Sequence, residues 1–199
     1  IAELRAADAG ALRGVLTDLD DTLTTAGRID FAAFGSLWRL RDAGLRVVLV
    51  TGRPAGWADH LARMWPLDAV VGENGAFYFA RRAERVLRRY QKSDSERRVD
   101  RARLDALAAE ILGAVPRARV AADQAYRESD LAIDVCEEIE PLSRAEVAAV
   151  LDRFERAGAR AKLSSIHVNG WFGDYDKLTT LRLLFSEQFG EDLDAERAR

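Results

Sequence analysis

The sequence predicts an α/β protein in which a parallel-sheet core is interrupted by an inserted α+β module. Short apolar runs at residues 14–19, 46–50 and 68–71 alternate with two longer segments of helical periodicity. Strand, helix and strand at this spacing form βαβ units, whose right-handed crossovers produce parallel strands. From about Arg81 the chain becomes rich in arginine, and a second alternation of helices and strands follows.

The composition limits the classes of function. Of the 199 residues, 48% are hydrophobic and 32% are charged, as in an ordinary soluble globular protein. The net charge of −3 gives no reason to expect nucleic-acid binding. The single cysteine, Cys136, excludes an internal disulfide and a cysteine-based zinc site, and its apolar surroundings predict a small buried side chain. With no apolar run near ~20 residues and no signal-peptide pattern, we expect a cytoplasmic protein without a membrane partner.

The first helix and those that follow have apolar faces. The first ends at Gly44, a suitable residue to follow a helix, and the second begins near Pro54. We expect both faces to pack into the core, through Phe31, Phe34, Leu37, Trp38 and Leu40 in the first helix, and through Trp57, Leu61, Met64 and Trp65 in the second. Asn74-Gly75 predicts a tight turn between the third strand and residues 76–79.

The inserted module is predicted to run β-α-β-β-α-β. Its second helix begins with a capping box at Ser143 and Glu146, and one further strand is expected over residues 161–169. A final amphipathic helix is expected over residues 176–189. The predicted division of the chain is residues 1–80 and 171–199 for the core and 81–170 for the insertion.

Three carboxylates follow the first strand, in Asp18-Leu19-Asp20-Asp21. In an open parallel sheet, ligands bind beyond the carboxyl ends of the strands. Asp18 and Asp20 would point the same way because side chains alternate along an extended segment, which leaves Leu19 to face the core. Mg²⁺, which prefers oxygen ligands, would offset their repulsion. The alternative is a helix N-cap, and this short stretch alone does not decide between the two.

The second strand ends in Thr51-Gly52-Arg53, which places a hydroxyl, a glycine backbone and a guanidinium at the same edge. These groups can hold phosphate oxygens. Lys177 begins the final helix, where a cation opposes the helix dipole. A lysine directed at an anion explains that placement better than a solvated one.

Together these motifs resemble the haloacid dehalogenase superfamily of phosphohydrolases. Its first motif, D-x-D-x-T, is matched by Asp18-Leu19-Asp20-Asp21-Thr22, its second by Thr51, and its third by Lys177. The insertion, preceded by Glu73-Asn74-Gly75-Ala76, is similar to the α/β cap of the Cof-type and sucrose-phosphatase-like branch. The resemblance implies a Rossmann-like core with an α+β cap domain.

The resemblance also implies roles for residues. Asp18 would be the nucleophile that forms an aspartyl-phosphate, and Asp20 the general acid and base. Both would serve the Mg²⁺ site, Asp18 through its carboxylate and Asp20 through its main-chain carbonyl. Phosphate would be bound by Thr51, Gly52, Arg53 and Lys177, while Thr22 would orient the Asp20 loop.

The family's fourth motif, an acidic cluster that completes the metal site, has no counterpart before Arg199. We do not assign its role to Asp192 or Asp194, because no apolar strand precedes them. The expectation is that either the protein continues or the metal site is incomplete.

Four further residues allow two interpretations. His167 and Asn169, near the end of the insertion, would contact a substrate hydroxyl or simply hydrogen-bond within a strand. Arg127 is a weaker candidate for reading a sugar. Asn74 would approach the phosphate, or would only supply the left-handed backbone of its turn. The arginines between residues 81 and 103 are interpreted as a solvated face.

The predicted function is therefore Mg²⁺-dependent hydrolysis of a small phosphorylated metabolite, most plausibly a sugar phosphate, through an aspartyl-phosphate. A phosphomutase or phosphotransferase using the same intermediate is one alternative. A non-catalytic binding domain of the same fold is another, which the missing fourth motif supports and the three matched motifs oppose.

Overall fold

The computed structural model describes residues 12–195, which form a five-stranded and a four-stranded β-sheet with helices packed on both. The predicted α/β fold class is confirmed. The helices are, in chain order, α1 (Phe31–Asp42), α2 (Ala55–Met64), α3 (Asp94–Ala114), α4 (Arg144–Arg156) and α5 (Lys177–Leu184). A π-helical turn, Phe185–Phe189, continues α5 and ends at Gly190. No helix within residues 12–195 is both long enough and apolar enough to cross a bilayer.

The first sheet is parallel across its first three strands and antiparallel beyond them. Its strands lie in chain order: β1 (Gly14–Thr17), β2 (Arg46–Val50), β3 (Ala69–Gly72), β4 (Phe77–Arg82) and β5 (Arg85–Tyr90). The turn between β3 and β4 passes through Asn74 with φ of 56°, a left-handed conformation that asparagine tolerates. The tight turn predicted at Asn74-Gly75 is confirmed.

Helices cover both faces of the first sheet, because alternate residues of its buried strands point to opposite sides. Val47 and Leu49 pack with Leu37 of α1 and Leu61 of α2. Their neighbours Val48 and Val50 instead pack with Leu181 and Leu184 of α5. The final helix therefore closes the second face and brings its first residue to the edge where β1 and β2 end.

The second sheet is antiparallel, in the order β6-β7-β9-β8. Its strands are β6 (Arg119–Val120), β7 (Leu131–Asp134), β8 (Arg160–Leu163) and β9 (His167–Trp171). One face packs on α3 and α4 through Leu131, Ile133, Val168, Ile111 and Phe154. Side chains on its other face line a cavity shared with the first sheet.

Two boundaries differ from the predictions. Residues 81–90 belong to the antiparallel extension of the first sheet, not to the insertion. Their arginines suggested a change of domain, but they lie at the end of β4 and in β5, an edge strand, where charged side chains are common. The strand predicted over residues 161–169 is two strands, because a turn at residues 164–166 divides it.

The predicted apolar faces are only partly buried. Leu37 and Leu61 are in the core, whereas Phe31 is 91% exposed and Met64 is 66% exposed. Trp38 and Trp57 are also exposed. A helix covers the sheet with a limited stripe of side chains, so apolar residues at its first turn or flanks remain in solvent. The predicted core role of these four residues is wrong.

Glu73, in the turn after β3, joins the two sheets. Its side chain is fully buried and accepts four main-chain N–H bonds. Oε1 accepts from Ala55 at 2.8 Å and from Glu128 at 2.9 Å, and Oε2 accepts from Ser129 at 2.6 Å and from Asp130 at 3.2 Å. Ala55 begins α2, while the other three donors precede β7 of the second sheet. Burial and the nearby Asp130 carboxylate raise the pKa of Glu73, and the N–H groups of Glu128 and Ala55 oppose that rise.

We expect Glu73→Gln to lower the free energy of unfolding by about 2–4 kcal/mol, measured by urea denaturation. Glutamine keeps the shape of the side chain but replaces one acceptor oxygen with an NH₂ group, which would face main-chain donors. Glu84→Gln, at an exposed position between β4 and β5, is the control and should change stability little. A Glu73→Gln protein as stable as this control would contradict the proposed importance of these bonds.

Candidate functional site

The carboxyl ends of β1 and β2, the start of α5 and the polar face of the second sheet surround a cavity of about 290 Å³. The sequence-predicted residues that line it are Asp18, Asp20, Gly52, Arg53, Asn74, Arg127, His167, Asn169 and Lys177. Side chains from both ends of the chain thus meet at one edge of the first sheet.

Asp18 follows β1 and is held on two sides. The N–H of Leu19 donates to Oδ1 at 2.8 Å, and Lys177 Nζ donates to Oδ2 at 2.6 Å. Leu19 is 3% exposed, so it anchors the loop in the core, as predicted. The Asp18 side chain keeps 42% of its surface exposed. An oriented carboxylate therefore faces the cavity with room for a ligand.

Asp20 is paired with Arg53. The guanidinium forms a bidentate ion pair: Nε donates to Oδ2 of Asp20 at 3.0 Å, and Nη2 donates to Oδ1 at 2.9 Å. The same guanidinium lies over the ring of Trp57, 4.8 Å from its centroid. Because both partners are held, the Asp20 carboxylate has a defined direction beside Asp18.

Thr51 and Gly52 differ in their access to the cavity. Thr51 is fully buried, and its Oγ1 accepts the N–H of Arg53 at 3.0 Å. It does not line the cavity, whereas Gly52 does. A Cβ on Gly52 would lie 3.3 Å from Asn74 Oδ1, so glycine keeps this loop close to the amide.

Asn74 supplies the left-handed turn and also a free donor. Its side chain is 6% exposed, and Nδ2 has no hydrogen-bond partner within residues 12–195. A buried donor without a partner is costly unless a ligand or water accepts its hydrogen bond. Since Asn74 lines the cavity, that acceptor would come from a bound molecule.

The expected role of Thr22 is wrong. Thr22 is exposed, and its hydroxyl has no hydrogen-bond partner in the described part of the chain. Thr24 takes that place: it is buried, and its Oγ1 and N–H both donate to the Leu19 carbonyl, at 3.0 and 2.9 Å. Both threonines follow the carboxylates, and only the path of the loop decides which one turns inward.

Arg127 joins segments instead of presenting itself to a ligand. Its side chain is 1% exposed, and each of its three nitrogens donates to a protein acceptor. Nε and Nη2 donate to the Asp123 carboxylate, and Nη1 donates to the Asp130 carboxylate and to the Gly52 carbonyl at 3.0 Å. Burial opposes its charge, but Asp130 and Asp123 outweigh that effect and raise the pKa of Arg127.

His167 and Asn169 line the cavity and also contact the protein. His167 Nε2 lies 2.8 Å from a carboxylate oxygen of Glu137, and Asn169 Nδ2 donates to Asp130 at 3.2 Å. Nε2 of His167 makes no hydrogen bond within residues 12–195, whereas Asn169 is held by Asp130, and both interpretations of these two residues stay predictions. Lys162, Ser164 and Ser165 also line it, and Lys162 was missed because its strand partner is not visible in the sequence.

Part of an oxygen ligand set for Mg²⁺ is present. Asp18, Asp20 and Asp21 all reach the cavity, and carboxylate oxygens are ligands that Mg²⁺ prefers. However, no group of three acidic, histidine or cysteine side chains with metal-binding geometry occurs within residues 12–195. The Asp20 carboxylate is occupied by Arg53, so Asp18 is the side chain that best fits the ion.

Comparison with known proteins agrees with this geometry. Residues 15–101 match the family model for haloacid dehalogenase-like hydrolases. A phosphoglycolate phosphatase of Methanoculleus marisnigri is 39% identical over 69 residues, which are 34% of this chain and 30% of that protein. The match thus spans less than a third of that relative's length.

Solved structures share the fold. The protein 0175 of Thermoplasma acidophilum has a TM-score of 0.72 at 19% identity, over 92% of this chain and 74% of its own. The C-terminal domain of trehalose-6-phosphate phosphatase from C. albicans has a TM-score of 0.65 at 11% identity, over 90% of this chain and 63% of its own. The family model covers the segment that carries Asp18, Asp20 and Thr51, so this part of the chain is similar to haloacid dehalogenase-like hydrolases, and Lys177 lies beside it in space.

Proposed function

We propose that the protein hydrolyses a small phosphate monoester, with Asp18 as the nucleophile. The observation that carries the proposal is the Asp18–Lys177 contact of 2.6 Å at the mouth of an otherwise open cavity. Lys177 holds the carboxylate in a fixed direction, and its ammonium also attracts the phosphoryl oxygens. The match of residues 15–101 to haloacid dehalogenase-like hydrolases and the similarity to a phosphoglycolate phosphatase support this reaction class.

The reaction would proceed in two displacements. Asp18 attacks phosphorus, an oxygen–phosphorus bond forms, and the bond to the ester oxygen breaks. Asp20 takes a proton from solvent before the reaction, gives it to the leaving alkoxide, and takes a proton back from the water that attacks the aspartyl-phosphate. That attack breaks the bond between Asp18 and phosphorus. Inorganic phosphate leaves, and both carboxylates return to their first state.

Arg53 would regulate when Asp20 is available. Its guanidinium donates to both Asp20 oxygens. A phosphoryl group entering beside Gly52 offers Arg53 a second anionic acceptor, which would release Asp20 for proton transfer. Gly52 and Lys177, with the Asn74 amide, would hold the phosphoryl oxygens, and the buried Thr51 hydroxyl would support that loop from below.

Mg²⁺ is the proposed cofactor, bound by the Asp18 carboxylate and the Asp20 main-chain carbonyl. When bound, it would neutralise the repulsion between the nucleophile and the phosphate. The second sheet with α3 and α4 is proposed as the cap that covers the site and contacts the leaving group. The cavity volume favours a compact ester, and hydrolysis of a sugar phosphate stays a prediction.

Replacing the nucleophile should abolish turnover. We expect Asp18→Asn to reduce inorganic phosphate release from p-nitrophenyl phosphate by at least ~1,000-fold, because the amide cannot form the aspartyl-phosphate. Asp42→Asn, an exposed change at the end of α1, is the control for loss of a negative charge. Near-normal turnover by Asp18→Asn, with unchanged circular dichroism, would remove Asp18 from its role.

Metal removal tests the cofactor. Phosphate release should fall to background after treatment with EDTA and return when Mg²⁺ is added in excess, since the nucleophile and the ester are both anionic. A parallel melting curve would show that the chelator has not unfolded the protein. Full activity in EDTA would exclude the proposed Mg²⁺ dependence.

Asn74→Gly separates the two interpretations of Asn74. Glycine adopts the observed positive φ readily, so the turn is retained while the unpartnered amide is lost. If the amide binds the phosphoryl group, kcat/KM should fall about 10-fold, with little change in melting temperature. An unchanged kcat/KM would assign Asn74 to the turn alone.

A further inference from the structure

Four cationic side chains line the cavity, and three of them already have carboxylate partners. Lys177 contacts Asp18, Arg53 contacts Asp20, and Arg127 contacts Asp130. The fourth, Lys162, has no ion-pair partner within residues 12–195. Its ammonium is therefore available to an anion that enters the cavity.

The strand register directs Lys162 towards the cavity. Lys162 in β8 lies opposite Asn169 in β9, and opposite residues of an antiparallel pair share one face of the sheet. Asn169 is buried and lines the cavity, whereas Ala161, the preceding residue in β8, packs with the helices on the other face. Lys162 thus belongs to the wall of the second sheet, while Asp18 and Lys177 belong to the wall of the first.

We propose that Lys162 binds a carboxylate on the leaving group, so that the substrate is the phosphate monoester of a small hydroxy acid. This inference rests on the proposed phosphatase function. The phosphoryl group would lie against Asp18 and Lys177, and the acid would extend towards the second sheet. The unpartnered, buried Asn74 amide is independent support for a ligand in this cavity.

Charge and volume both favour a compact acid. A neutral group placed against Lys162 would remove water from the ammonium without supplying a counter-charge, which is unfavourable. A carboxylate instead forms a charge-assisted hydrogen bond with it. The cavity of about 290 Å³ has the volume of roughly ten water molecules, enough for a phosphoryl group and a hydroxy acid of two or three carbons.

Matched esters test the inference. Each pair differs only in a carboxylate replaced by a hydroxymethyl group: 2-phosphoglycolate with 2-hydroxyethyl phosphate, and 3-phosphoglycerate with glycerol 3-phosphate. The readout is the ratio of kcat/KM for the acid to kcat/KM for its neutral partner. We expect this ratio to exceed about 10 in the wild type and to fall by roughly 10- to 100-fold in Lys162→Met.

Two variants control for the charge. Lys162→Arg should retain most of the ratio, because it keeps a cation at the same strand position. Arg144→Met removes a cation from an exposed position at the start of α4, outside the cavity, and should leave the ratio unchanged. The inference is overturned if the wild type prefers neutral esters, including sugar phosphates, or if Lys162→Met keeps the wild-type ratio.

A binding measurement separates this inference from the proposed reaction. Calorimetric titration of Asp18→Asn with 2-phosphoglycolate and with 2-hydroxyethyl phosphate gives the same comparison as a ratio of Kd values. If the protein binds 2-phosphoglycolate more tightly than 2-hydroxyethyl phosphate, and Lys162→Met abolishes this preference, the carboxylate site is supported even if no ester is hydrolysed. If p-nitrophenyl phosphate is hydrolysed but the protein shows no preference for acids, the proposed phosphatase function stands and the Lys162 carboxylate site is rejected.

Discussion

The ion pair between Lys177 and Asp18 is the interaction on which the site depends. Closely spaced carboxylates at the end of β1 repel one another, so the folded chain needs cations at the same place. Lys177 supplies one from 159 positions further along the sequence. That contact requires α5 to pack on the second face of the first sheet, where Leu181 and Leu184 hold it. The position of α5 is therefore set both by its apolar contacts in the core and by the ion pair of Lys177 at the site.

Arg53 provides the second compensation, and its position follows from the parallel sheet. Because β1 and β2 are parallel neighbours, their carboxyl ends adjoin, and Arg53 reaches both Asp20 oxygens. The two ion pairs give the carboxylates different surroundings: Asp18 is open to the cavity, whereas Asp20 is clamped. This difference suits one group to attack and the other to transfer a proton.

The second sheet is attached at the loops that hold the site. Glu73 accepts N–H bonds from the start of α2 and from residues 128–130, and Arg127 donates to the Gly52 carbonyl. Both contacts flank Asn74 and Gly52, the residues proposed to hold the phosphoryl group. In the proposed function, one buried network would support both phosphate binding and leaving-group recognition, and the opposite wall, where Lys162 lies, would select the leaving group.

The sequence by itself determined the α/β class and the meeting of Asp18, Asp20 and Arg53, because strand periodicity and the parallel connection place them at one edge of the sheet. Lys177 was assigned to the same site from its position at a helix start and from the family resemblance. Prediction from local sequence failed at several positions, namely Thr22, Phe31, Met64 and residues 81–90. Each has a local pattern that suits more than one environment, and the environment is set by packing against distant segments. Only the tertiary structure decided that Thr24 holds the loop and that protein acceptors use every nitrogen of the Arg127 guanidinium. It also decided that no carboxylate in the described part of the chain pairs with Lys162. Those outcomes depend on contacts between residues far apart in the chain, which local sequence patterns do not predict.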